Sequence, residues 1–439
     1  MIRGFSRLSK MQKLQAIAGQ YFEDPEAAVE EISSFWLQDE QQQQILDGFS
    51  ENTISNYILP FGVAPNFLID GRTFCIPMVI EESSVVAAVS NAAKFWHDKG
   101  GFNTSILGTV KVGQVHFMWS GSYELMSRCM PELKQRLLSD ATSITSNMQQ
   151  RGGGVLDIEL LDFTDQEADY FQLRVKFETC DSMGANFINS VLESFADSLA
   201  SFVLENDEIP VLHKDLKIIM AILSNYTPEC IVEARVSCPV SQLNCSTDTD
   251  PEQFAWKFEK AVRIAQIDPY RATTHNKGIF NGVDAVILAT ANDFRAIESC
   301  GHTYACRDGQ YRSLSYCKVE NDIFHFWIQL PLAIGTIGGL TSLHPLARRS
   351  MQLLGNPTAR QLMGIIASVG LAQNFAAVRS LITTGIQKGH MKMHLTNILN
   401  QLNVPVNMQS AALEHFKDKT ISYSAVRSFL ESVGPATTI

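Results

Sequence analysis

The sequence predicts an α+β protein in which a small ferredoxin-like unit is inserted into a larger, helix-rich domain. Residues 105–224 carry strand and helix patterns in the order β-α-β-β-α-β, which is the order of the split ferredoxin-like unit. Long apolar helical patterns lie outside this unit, among them an alanine-rich one from Ala359 to Thr383. The chain of 439 residues is long enough for two or three domains with sizeable cores.

The individual elements follow from apolar periodicity, from Gly and Pro punctuation and from helix-capping residues. Before the inserted unit they are helices over 8–17 and 40–49, an irregular loop over 51–67, a strand over 74–80 and a helix over 84–99. Within the unit they are a strand over 105–119, a helix over 130–149, strands over 155–162 and 170–178, a helix over 186–205 and a strand over 216–222. After it they are a strand over 230–240, helices over 251–267 and 293–305, strands over 311–320 and 323–330, a helix over 359–383 and a helical tail over 380–439.

A polar loop that feeds a buried strand is predicted between Arg271 and Asp293. Lys277 lies in this polar loop, between Asn276 and Gly278, and the strand-like run extends from Val283 to Thr290. Gly278 and Gly282 would permit a close backbone approach beside the lysine. A lysine at such an edge is ordinarily a solvated charge. Here we expect burial beside an acid, which would adapt the ammonium to sharing protons or stabilising an oxyanion.

The segment D-S-M-G-A-N, residues 181–186, opens a predicted helix directly after a strand. Free amide donors and the positive end of a helix favour a pyrophosphate there, although a simple capped helix start is the alternative. No G-x-G-x-x-G occurs in the chain, so a Rossmann-type site is not expected. The small-residue run G-T-I-G-G-L, residues 335–340, is a second place where a cofactor or backbone could approach closely.

Composition excludes several classes of protein. The net charge of −11 and the absence of a basic stripe argue against a nucleic-acid partner. Nine cysteines without a C-x-x-C pair suit a reducing compartment, and no metal site is expected. No apolar run is expected to span a membrane, and the N-terminus lacks a secretory apolar segment. The sequence therefore predicts a cytoplasmic protein.

Five ordered segments together carry a resemblance to a known family. They are E-N-T-I-S-N-Y-I-L-P-F-G-V-A-P-N-F (51–67), P-M-V-I-E-E-S-S-V-V-A-A-V-S-N-A-A (77–93), D-S-M-G-A-N (181–186), R-A-T-T-H-N-K-G-I-F-N-G-V-D-A-V-I-L-A-T-A-N-D (271–293) and G-I-Q-K-G-H-M (385–391). In this order they resemble the signature of 3-hydroxy-3-methylglutaryl-coenzyme A (HMG-CoA) reductase, in the soluble class II form found mainly in bacteria and archaea. Because the five segments occur in the family's order over almost the whole chain, the resemblance is far more specific than a match to any single segment.

The resemblance implies a domain organisation and an assembly. Residues 1–104 and 225–379 would form the large domain that binds the substrate and coenzyme A, and residues 105–224 the small NAD(P)-binding domain. Residues 380–439 would form a helical C-terminal flap. The family's active site is assembled between subunits, which implies a homodimer or a higher homo-oligomer, without nucleic acid or membrane.

The resemblance also implies site residues. The catalytic ones would be Glu82, Lys277, Asp293 and His390. The cofactor-binding ones would be Asp181, Met183, Gly184, Ala185, Asn186 and Asn225, and the substrate-binding ones Ser84, Arg271, Asn281, Gln373 and Asn374. Two residues depart from the usual family pattern, Ser182 in place of alanine and Ala291 in place of glycine; the second is tolerable unless that backbone needs a positive φ.

The implied reaction is reduction of (S)-HMG-CoA to mevalonate and coenzyme A by two hydride transfers from NADPH or NADH. Lys277 would stabilise the developing oxyanion, and Glu82 would supply protons to that oxygen. Asp293 beside Glu82 would raise the pKa of the glutamate and Lys277 would lower it, so the three would titrate together. His390, beside possible glycine hinges, would protonate the leaving thiolate, and Arg271 would grip the substrate carboxylate.

Several alternatives stay open from the sequence. NAD-preferring relatives carry an acid where this chain has Thr145, so NADPH use is the working hypothesis. The same site could run oxidatively to degrade mevalonate, or the chain could be a non-catalytic coenzyme A-binding protein of the same fold. Glu81 is expected to act only as a helix cap, and His394 is expected to have only a structural role. A metal or Cys-His site at Cys300, His302 and Cys306 is the least favoured possibility.

Overall fold

The computed structural model describes residues 2–82, 84–244, 250–383, 395–396, 398–416, 419 and 421–433. Its strands are β1 (Phe61–Ile69), β2 (Arg72–Val79), β3 (Asn103–Ile106), β4 (Lys111–Trp119), β5 (Gly154–Asp162), β6 (Tyr170–Glu178), β7 (Leu216–Ser224), β8 (Ile231–Pro239), β9 (Ser315–Glu320) and β10 (Ile323–Pro331). Its helices before β9 are α1 (Lys10–Tyr21), α2 (Pro25–Ser33), α3 (Glu40–Asp47), α4 (Val85–His97), α5 (Tyr123–Asp140), α6 (Thr142–Gln149), α7 (Ala185–Glu205), α8 (Pro251–Ile267), α9 (Pro269–Ala289) and α10 (Phe294–Ala305). The remaining helices are α11 (Leu340–Leu343), α12 (Pro345–Leu353), α13 (Ala359–Ile382), α14 (Val406–His415) and α15 (Tyr423–Val433).

The inserted unit has the strand arrangement of a ferredoxin-like fold. Strands β4 to β7 form an antiparallel sheet in the order β5-β6-β4-β7, and helices α5 and α7 pack against it. The inward side chains form their own apolar core, which includes Phe117, Phe177 and Phe195. Helix and sheet thus form two packed layers around one core. The α+β fold class is confirmed, while the division of the chain into the four predicted parts stays a prediction.

The larger part of the chain is built around α13. This helix packs against α4, α8 and α9 and against a second antiparallel sheet, in the order β3-β8-β10-β9. Its buried residues lie on every side, which is the pattern of a helix enclosed by its own protein. The pair β1 and β2 forms a separate antiparallel hairpin that packs on α4 and α9. The hairpin ends beside α9, so the segment after Val79 lies next to that helix.

The predicted loop and strand over 271–290 is wrong, because the stretch is one continuous helix, α9. Asp268 accepts a hydrogen bond from the amide of Tyr270 and Pro269 occupies the first turn, which together start the helix. An apolar run such as 283–290 cannot be assigned to strand or buried helix from periodicity alone. Gly278 has open space around it, whereas a Cβ at Gly282 would lie 3.0 Å from the carbonyl oxygen of Val369, so that glycine lets α9 approach α13 closely.

Two other predicted elements are divided in the structure. The single strand over 105–119 is two strands, since β3 pairs with β8 in the large sheet and β4 pairs with β6 and β7 in the small one. The single helix over 130–149 is two helices that meet at Ala141, and the first of them begins earlier, at Tyr123. The irregular loop over 51–67 gives way to β1 at Phe61. The chain changes sheets where the sequence shows an uninterrupted strand pattern.

Two described helices are long and apolar enough to cross a membrane by length and composition, against the expectation from the sequence. They are α7, whose apolar 18-residue segment is 50% buried inside the protein, and α13, whose corresponding segment is 72% buried. The apolar residues of α7 pack into the core of the small sheet, and those of α13 into the core of the large part. Buried core helices of soluble proteins also meet these criteria of length and apolar composition, so the two helices are weak evidence for a membrane span.

Candidate active site

The carboxylate of Glu82 is the centre of a cluster of four predicted site residues. The Lys277 ammonium donates to Glu82 Oε2 at 3.2 Å, and the Asn281 amide donates to the same oxygen at 3.3 Å. The Ser84 hydroxyl donates to Glu82 Oε1 at 3.3 Å. The structure therefore brings together a cation, a carboxyl group and two polar side chains that are separated by up to 199 positions in the sequence.

Helix geometry explains why Lys277 and Asn281 meet the same carboxylate. The two residues are four positions apart on α9, so their side chains lie on one face, one turn from each other. Strand β2 packs against α9 and ends at Val79, which places Glu82 opposite that face. A shift of one residue along α9 would turn the lysine away from the glutamate.

The cluster is open to solvent in the single chain. The side chain of Lys277 is 65% exposed and that of Glu82 is 34% exposed. The expectation that the chain itself buries this ammonium is therefore wrong, because the loop on which it rested is a helix and Lys277 lies on its outer face. An exposed pair of this kind contributes little to stability. It is available to a ligand or to a second chain.

Asp293 does not join this cluster within one chain. Its carboxylate caps α10, accepting from the amides of Arg295 at 3.0 Å and Ala296 at 3.3 Å, and it pairs with the Arg295 guanidinium at 3.0 Å. From Lys277 to the end of α9 the helix rises about 18 Å, at about 1.5 Å per residue. The expected contact of Asp293 with Glu82 and Lys277 is thus not formed inside the chain.

Two further predicted residues lie apart from the cluster. Arg271 is on α9 but on a different face from Lys277, and partial burial lowers the pKa of its guanidinium. Among the described residues it has no hydrogen bond or ion pair. His390 lies outside the described residues, so its placement stays a prediction.

The two amides on α13 are buried. Asn374 is 1% exposed and its oxygen accepts from the Ser315 hydroxyl at 2.7 Å, which in turn lies 2.7 Å from His275 Nε2. Burial lowers the pKa of His275 to about 3, so its ring is neutral. Asn374 therefore satisfies a buried polar group, and its contact with the substrate stays a prediction. The amide oxygen of Gln373 is buried without a hydrogen-bond partner.

The D-S-M-G-A-N segment forms the tight turn that opens α7. Gly184 is the N-cap with φ of 92°, a conformation that glycine adopts readily, and a Cβ there would lie 2.5 Å from the Thr179 side chain. No side chain caps the first turn, so the amides of Ala185 and Asn186 belong to a helix end without a side-chain acceptor. This arrangement suits an anion, as predicted.

The side chain of Asp181 has a structural contact, while its role at the cofactor stays a prediction. Its carboxylate accepts from the backbone amide of Ala359 at 2.7 Å, at the start of α13, and its carbonyl oxygen accepts from Thr336 at 2.8 Å. Gly335 lies against the same turn, since a Cβ there would lie 2.4 Å from the Met183 nitrogen. Asp181 therefore ties the turn to α13, and the glycine run over 335–340 packs on it.

A small cavity beside this turn is bordered by two predicted cofactor residues. Met183 and Asn225 line it together with Lys111, Thr227 and Cys300, and its volume of about 10 Å³ has room for one water molecule. Burial raises the pKa of the Cys300 thiol, so the group is not an activated nucleophile. The described residues hold no group of three or more His, Cys, Asp or Glu that could bind a metal, which leaves the Cys-His alternative without support.

Thr145, the position expected to govern cofactor preference, is 2% exposed. Its hydroxyl donates to the carbonyl of Thr142 at 3.5 Å inside α6. The side chain has no free polar atom to offer a ribose. The absence of an acid at this position is a fact of the sequence, but the threonine itself faces the core of the small unit.

Ala291 has a left-handed backbone conformation, with φ of 54°, in the turn between α9 and α10. An alanine in this region is strained by about 1–2 kcal/mol. We predict that Ala291→Gly raises the free energy of unfolding by about 1 kcal/mol, because the relieved strain exceeds the added chain entropy. Urea unfolding measures it. Ala289→Gly, in the helix itself, is the control and should destabilise; a less stable Ala291→Gly protein would contradict the assignment.

Asp284 and Glu298 form a carboxyl pair that the sequence did not reveal. Asp284 lies on α9 and one of its oxygens is buried without a hydrogen-bond partner. Burial, the charge of Glu298 and a hydrogen bond to Glu298 raise the pKa of Asp284 to about 8. The signal in the sequence is an acid in an otherwise apolar helical run.

The raised pKa gives a prediction for stability against pH. The folded chain holds a proton on Asp284 that the unfolded chain loses near pH 3.8, so this stabilisation is complete below about pH 4 and is lost as the pH rises to about 8. We predict that Asp284→Asn is more stable than the natural protein by about 1–3 kcal/mol at pH 8, with the difference vanishing toward pH 4. Thermal unfolding across this range measures it. Asp165→Asn, at an exposed acid with no hydrogen bond or ion pair to another described residue, is the control. An equal effect of Asp284→Asn at both ends of the pH range would refute the pairing.

Comparison with known proteins places this arrangement among the oxidoreductases. The sequence model of one family, described as hydroxymethylglutaryl-coenzyme A reductase, matches residues 11–395. The chain belongs to the hydroxymethylglutaryl-coenzyme A reductase family, and the resemblance of its five motifs is confirmed.

Individual proteins similar to this chain carry the name of the same enzyme. The chain is 34% identical over 403 residues to the 3-hydroxy-3-methylglutaryl-coenzyme A reductase of Archaeoglobus fulgidus, covering 90% of this chain and 86% of the relative. It is 32% identical to a probable reductase of Borreliella burgdorferi, covering 82% and 81% of the two chains. A solved structure of the Streptococcus pneumoniae reductase aligns with a TM-score of 0.72 at 33% identity, covering 98% of this chain and 99% of that one. A class II structure from the same organism, bound to NADPH, gives a TM-score of 0.71 at 34% identity, covering 87% and 99%.

Proposed function

We propose that the protein reduces (S)-HMG-CoA to mevalonate and coenzyme A, consuming two molecules of NADPH. The observation that carries the proposal is the contact of the Lys277 ammonium with the Glu82 carboxylate on an exposed face of α9. A thioester carbonyl placed between these groups would meet a cation and a proton donor at once. Membership of the family and the NADPH-bound relative support the assignment.

The residues of the cluster have complementary roles in this proposal. Lys277 stabilises the negative charge that develops on the carbonyl oxygen, in the manner of an oxyanion hole. Glu82 donates a proton to that oxygen, and its hydrogen bonds to Ser84 and Asn281 fix the orientation of its carboxyl group. Asn281 and Ser84 are also close enough to the carboxylate to contact the acyl group. Arg271, Gln373 and Asn374 stay candidates for binding the substrate.

The turn that opens α7 is proposed to bind the cofactor, whose nicotinamide supplies hydride when bound. The amides of Gly184, Ala185 and Asn186 lie at the positive end of a 21-residue helix, where a pyrophosphate is stabilised. Met183 and Asn225 border the adjacent small cavity. We propose NADPH over NADH because the class II relative from Streptococcus pneumoniae is described with NADPH bound.

A second copy of the chain completes the site in this proposal. The Asp293 carboxylate caps α10 beyond the far end of α9 and makes no contact with Lys277 in the single chain, so we propose that another subunit supplies this contact. An exposed apolar stripe on α8 and the start of α9, which includes Trp256 (59% exposed), Ile267 (56%) and Tyr270 (89%), supports an interface between subunits. We propose at least a homodimer, a cytoplasmic location, and His390 as the acid that protonates the departing thiolate.

The proposal is tested by absorbance at 340 nm with purified protein, HMG-CoA and NADPH. We expect two NADPH to be oxidised for each mevalonate formed. Oxidative use of the same site would appear instead as a rate from mevalonate, coenzyme A and the oxidised cofactor that exceeds the reductive rate at cellular concentrations. A protein that binds coenzyme A without any change in absorbance would be the non-catalytic alternative and would refute the proposal.

A further inference from the structure

A buried lysine lies beneath the turn that opens α7. Lys111, the first residue of β4, is 4% exposed. Its ammonium donates to the backbone carbonyl of Ser182 at 2.7 Å and to the hydroxyl of Thr179. The Thr179 hydroxyl donates to the same carbonyl at 2.7 Å. Burial of an ammonium is unfavourable, so a lysine in this place requires compensation from its surroundings.

No carboxylate within the described chain forms an ion pair with Lys111. The nearest acid on its own sheet, Glu178, accepts from the Thr109 hydroxyl and from the Cys180 amide, and Arg360 approaches it at 3.9 Å. Asp181 is bonded to the amide of Ala359. Both acids act on the lysine only from a distance, and the positive charge is left without a direct partner.

The charge of Lys111 lies directly behind the turn that is proposed to bind the cofactor. Its ammonium holds the carbonyl of Ser182, two residues before the N-cap Gly184. Lys111 also borders a small cavity of about 10 Å³ together with Met183 and Asn225. With two of its three N–H donors used by Thr179 and Ser182, the ammonium adds its charge to the positive end of the helix dipole. The helix end and the lysine thus produce a positive field at the turn.

We propose that Lys111 is a positioning residue for the dinucleotide: it fixes the backbone from Ser182 into α7 and supplies a buried positive charge beneath the cofactor pyrophosphate. The inference rests on the proposed cofactor site. It goes beyond the residues that the family motifs identify, since Lys111 lies outside all five of them.

Lys111→Met, which keeps the length of the side chain and removes its charge, tests the inference. We expect the dissociation constant of NADPH, measured by quenching of protein fluorescence, and the KM for NADPH to rise roughly 10- to 100-fold, since hydrogen bonds to a charged group are lost. The KM for HMG-CoA should change less than about twofold, because Lys277 and Glu82 are untouched. Lys111→Arg should recover part of the affinity.

Lys176→Met is the matched control. Lys176 lies on the neighbouring strand β6, and its ammonium pairs with Glu229 at 2.9 Å on the surface. Its loss should leave the affinity for NADPH unchanged. A folded Lys111→Met protein that binds NADPH like the natural one, or that loses both substrates to the same extent, overturns the inference.

A measurement on the natural protein decides the matter where Lys111→Met fails to fold. Burial lowers the pKa of Lys111, against the opposing effects of Cys230, Glu178, Cys180 and Asp181. The affinity for NADPH should therefore fall, with loss of a single proton, as the pH rises through this lowered pKa. An affinity that shows no such step anywhere below pH 10.5 contradicts the inference. Because NADPH binding is measured without substrate, a protein that binds NADPH but does not turn over HMG-CoA would refute the proposed function and still decide the role of Lys111.

Discussion

Lys277→Met is expected to reduce kcat for HMG-CoA reduction by about 100- to 1,000-fold, the usual loss when one donor to a developing oxyanion is removed. The fold should be unaffected, because the side chain is 65% exposed and its pairing with Glu82 at 3.2 Å contributes little to stability. Initial rates at 340 nm, with NADPH affinity and the thermal midpoint measured in parallel, separate chemistry from binding and folding.

Lys318→Met is the matched control for this experiment. Lys318 lies on β9 with its side chain 56% exposed, and its ammonium is 2.9 Å from the Glu320 carboxylate. It thus shares the exposure and the acidic partner of Lys277 but not its place in the cluster. Full activity of Lys318→Met with full activity of Lys277→Met as well would remove Lys277 from the reaction.

Mixed dimers of Lys277→Met and Asp293→Asn are expected to regain about half of the natural activity, although each parent is nearly inactive. In such a dimer one site combines Lys277 of one chain with Asp293 of the other, both intact, while the second site carries both changes. The two chains are co-expressed with different affinity tags and purified over both. A heterodimer as inactive as its parents would show that the two residues do not serve one site.

The same experiment has an internal control. Glu82 and Lys277 lie in contact within one chain. A heterodimer of Glu82→Gln with Lys277→Met therefore has one damaged residue at each site and should stay inactive. Recovery in this pair as well would indicate exchange of the chains or trace amounts of natural protein.

The contact at Glu82 could be anticipated from the sequence only in part. The motifs identified Glu82 and Lys277 as catalytic residues and Ser84 and Asn281 as substrate-binding residues, and these four converge. The local structure that joins them was missed, since the run V-D-A-V-I-L-A-T has the β-branched content of a strand but is the buried half of a helix. Tertiary burial on several sides removed the amphipathic signal that would have identified α9.

The residues that sequence motifs cannot explain are those whose role depends on contacts between distant segments. Asp181, predicted to bind the cofactor, also accepts a hydrogen bond from Ala359, 178 positions away. Asn374, predicted to contact the substrate, also accepts a hydrogen bond from the buried Ser315 hydroxyl. A motif gives the residue type but not the direction of its side chain, and in both cases the neighbouring element decides which polar group is satisfied.

The element order of the inserted unit was the most reliable prediction. Strand β6 has the predicted bounds, Tyr170–Glu178, because its alternation of apolar and polar residues is regular and turn formers flank it. Strand β3 was merged with β4, since both have strand-like sequences and only their pairing partners differ. Pairing is a long-range property, so the sequence of the two strands contains little information about it.

The central claim, that the reaction takes place at the Glu82 and Lys277 cluster on α9, is tested most directly by an experimental structure of the protein with HMG-CoA bound. We expect the thioester carbonyl oxygen to lie about 2.7–3.2 Å from the Lys277 ammonium, with the Glu82 carboxyl group within hydrogen-bonding distance of the same oxygen. A thioester bound elsewhere, with Lys277 still turned to solvent, would contradict the claim.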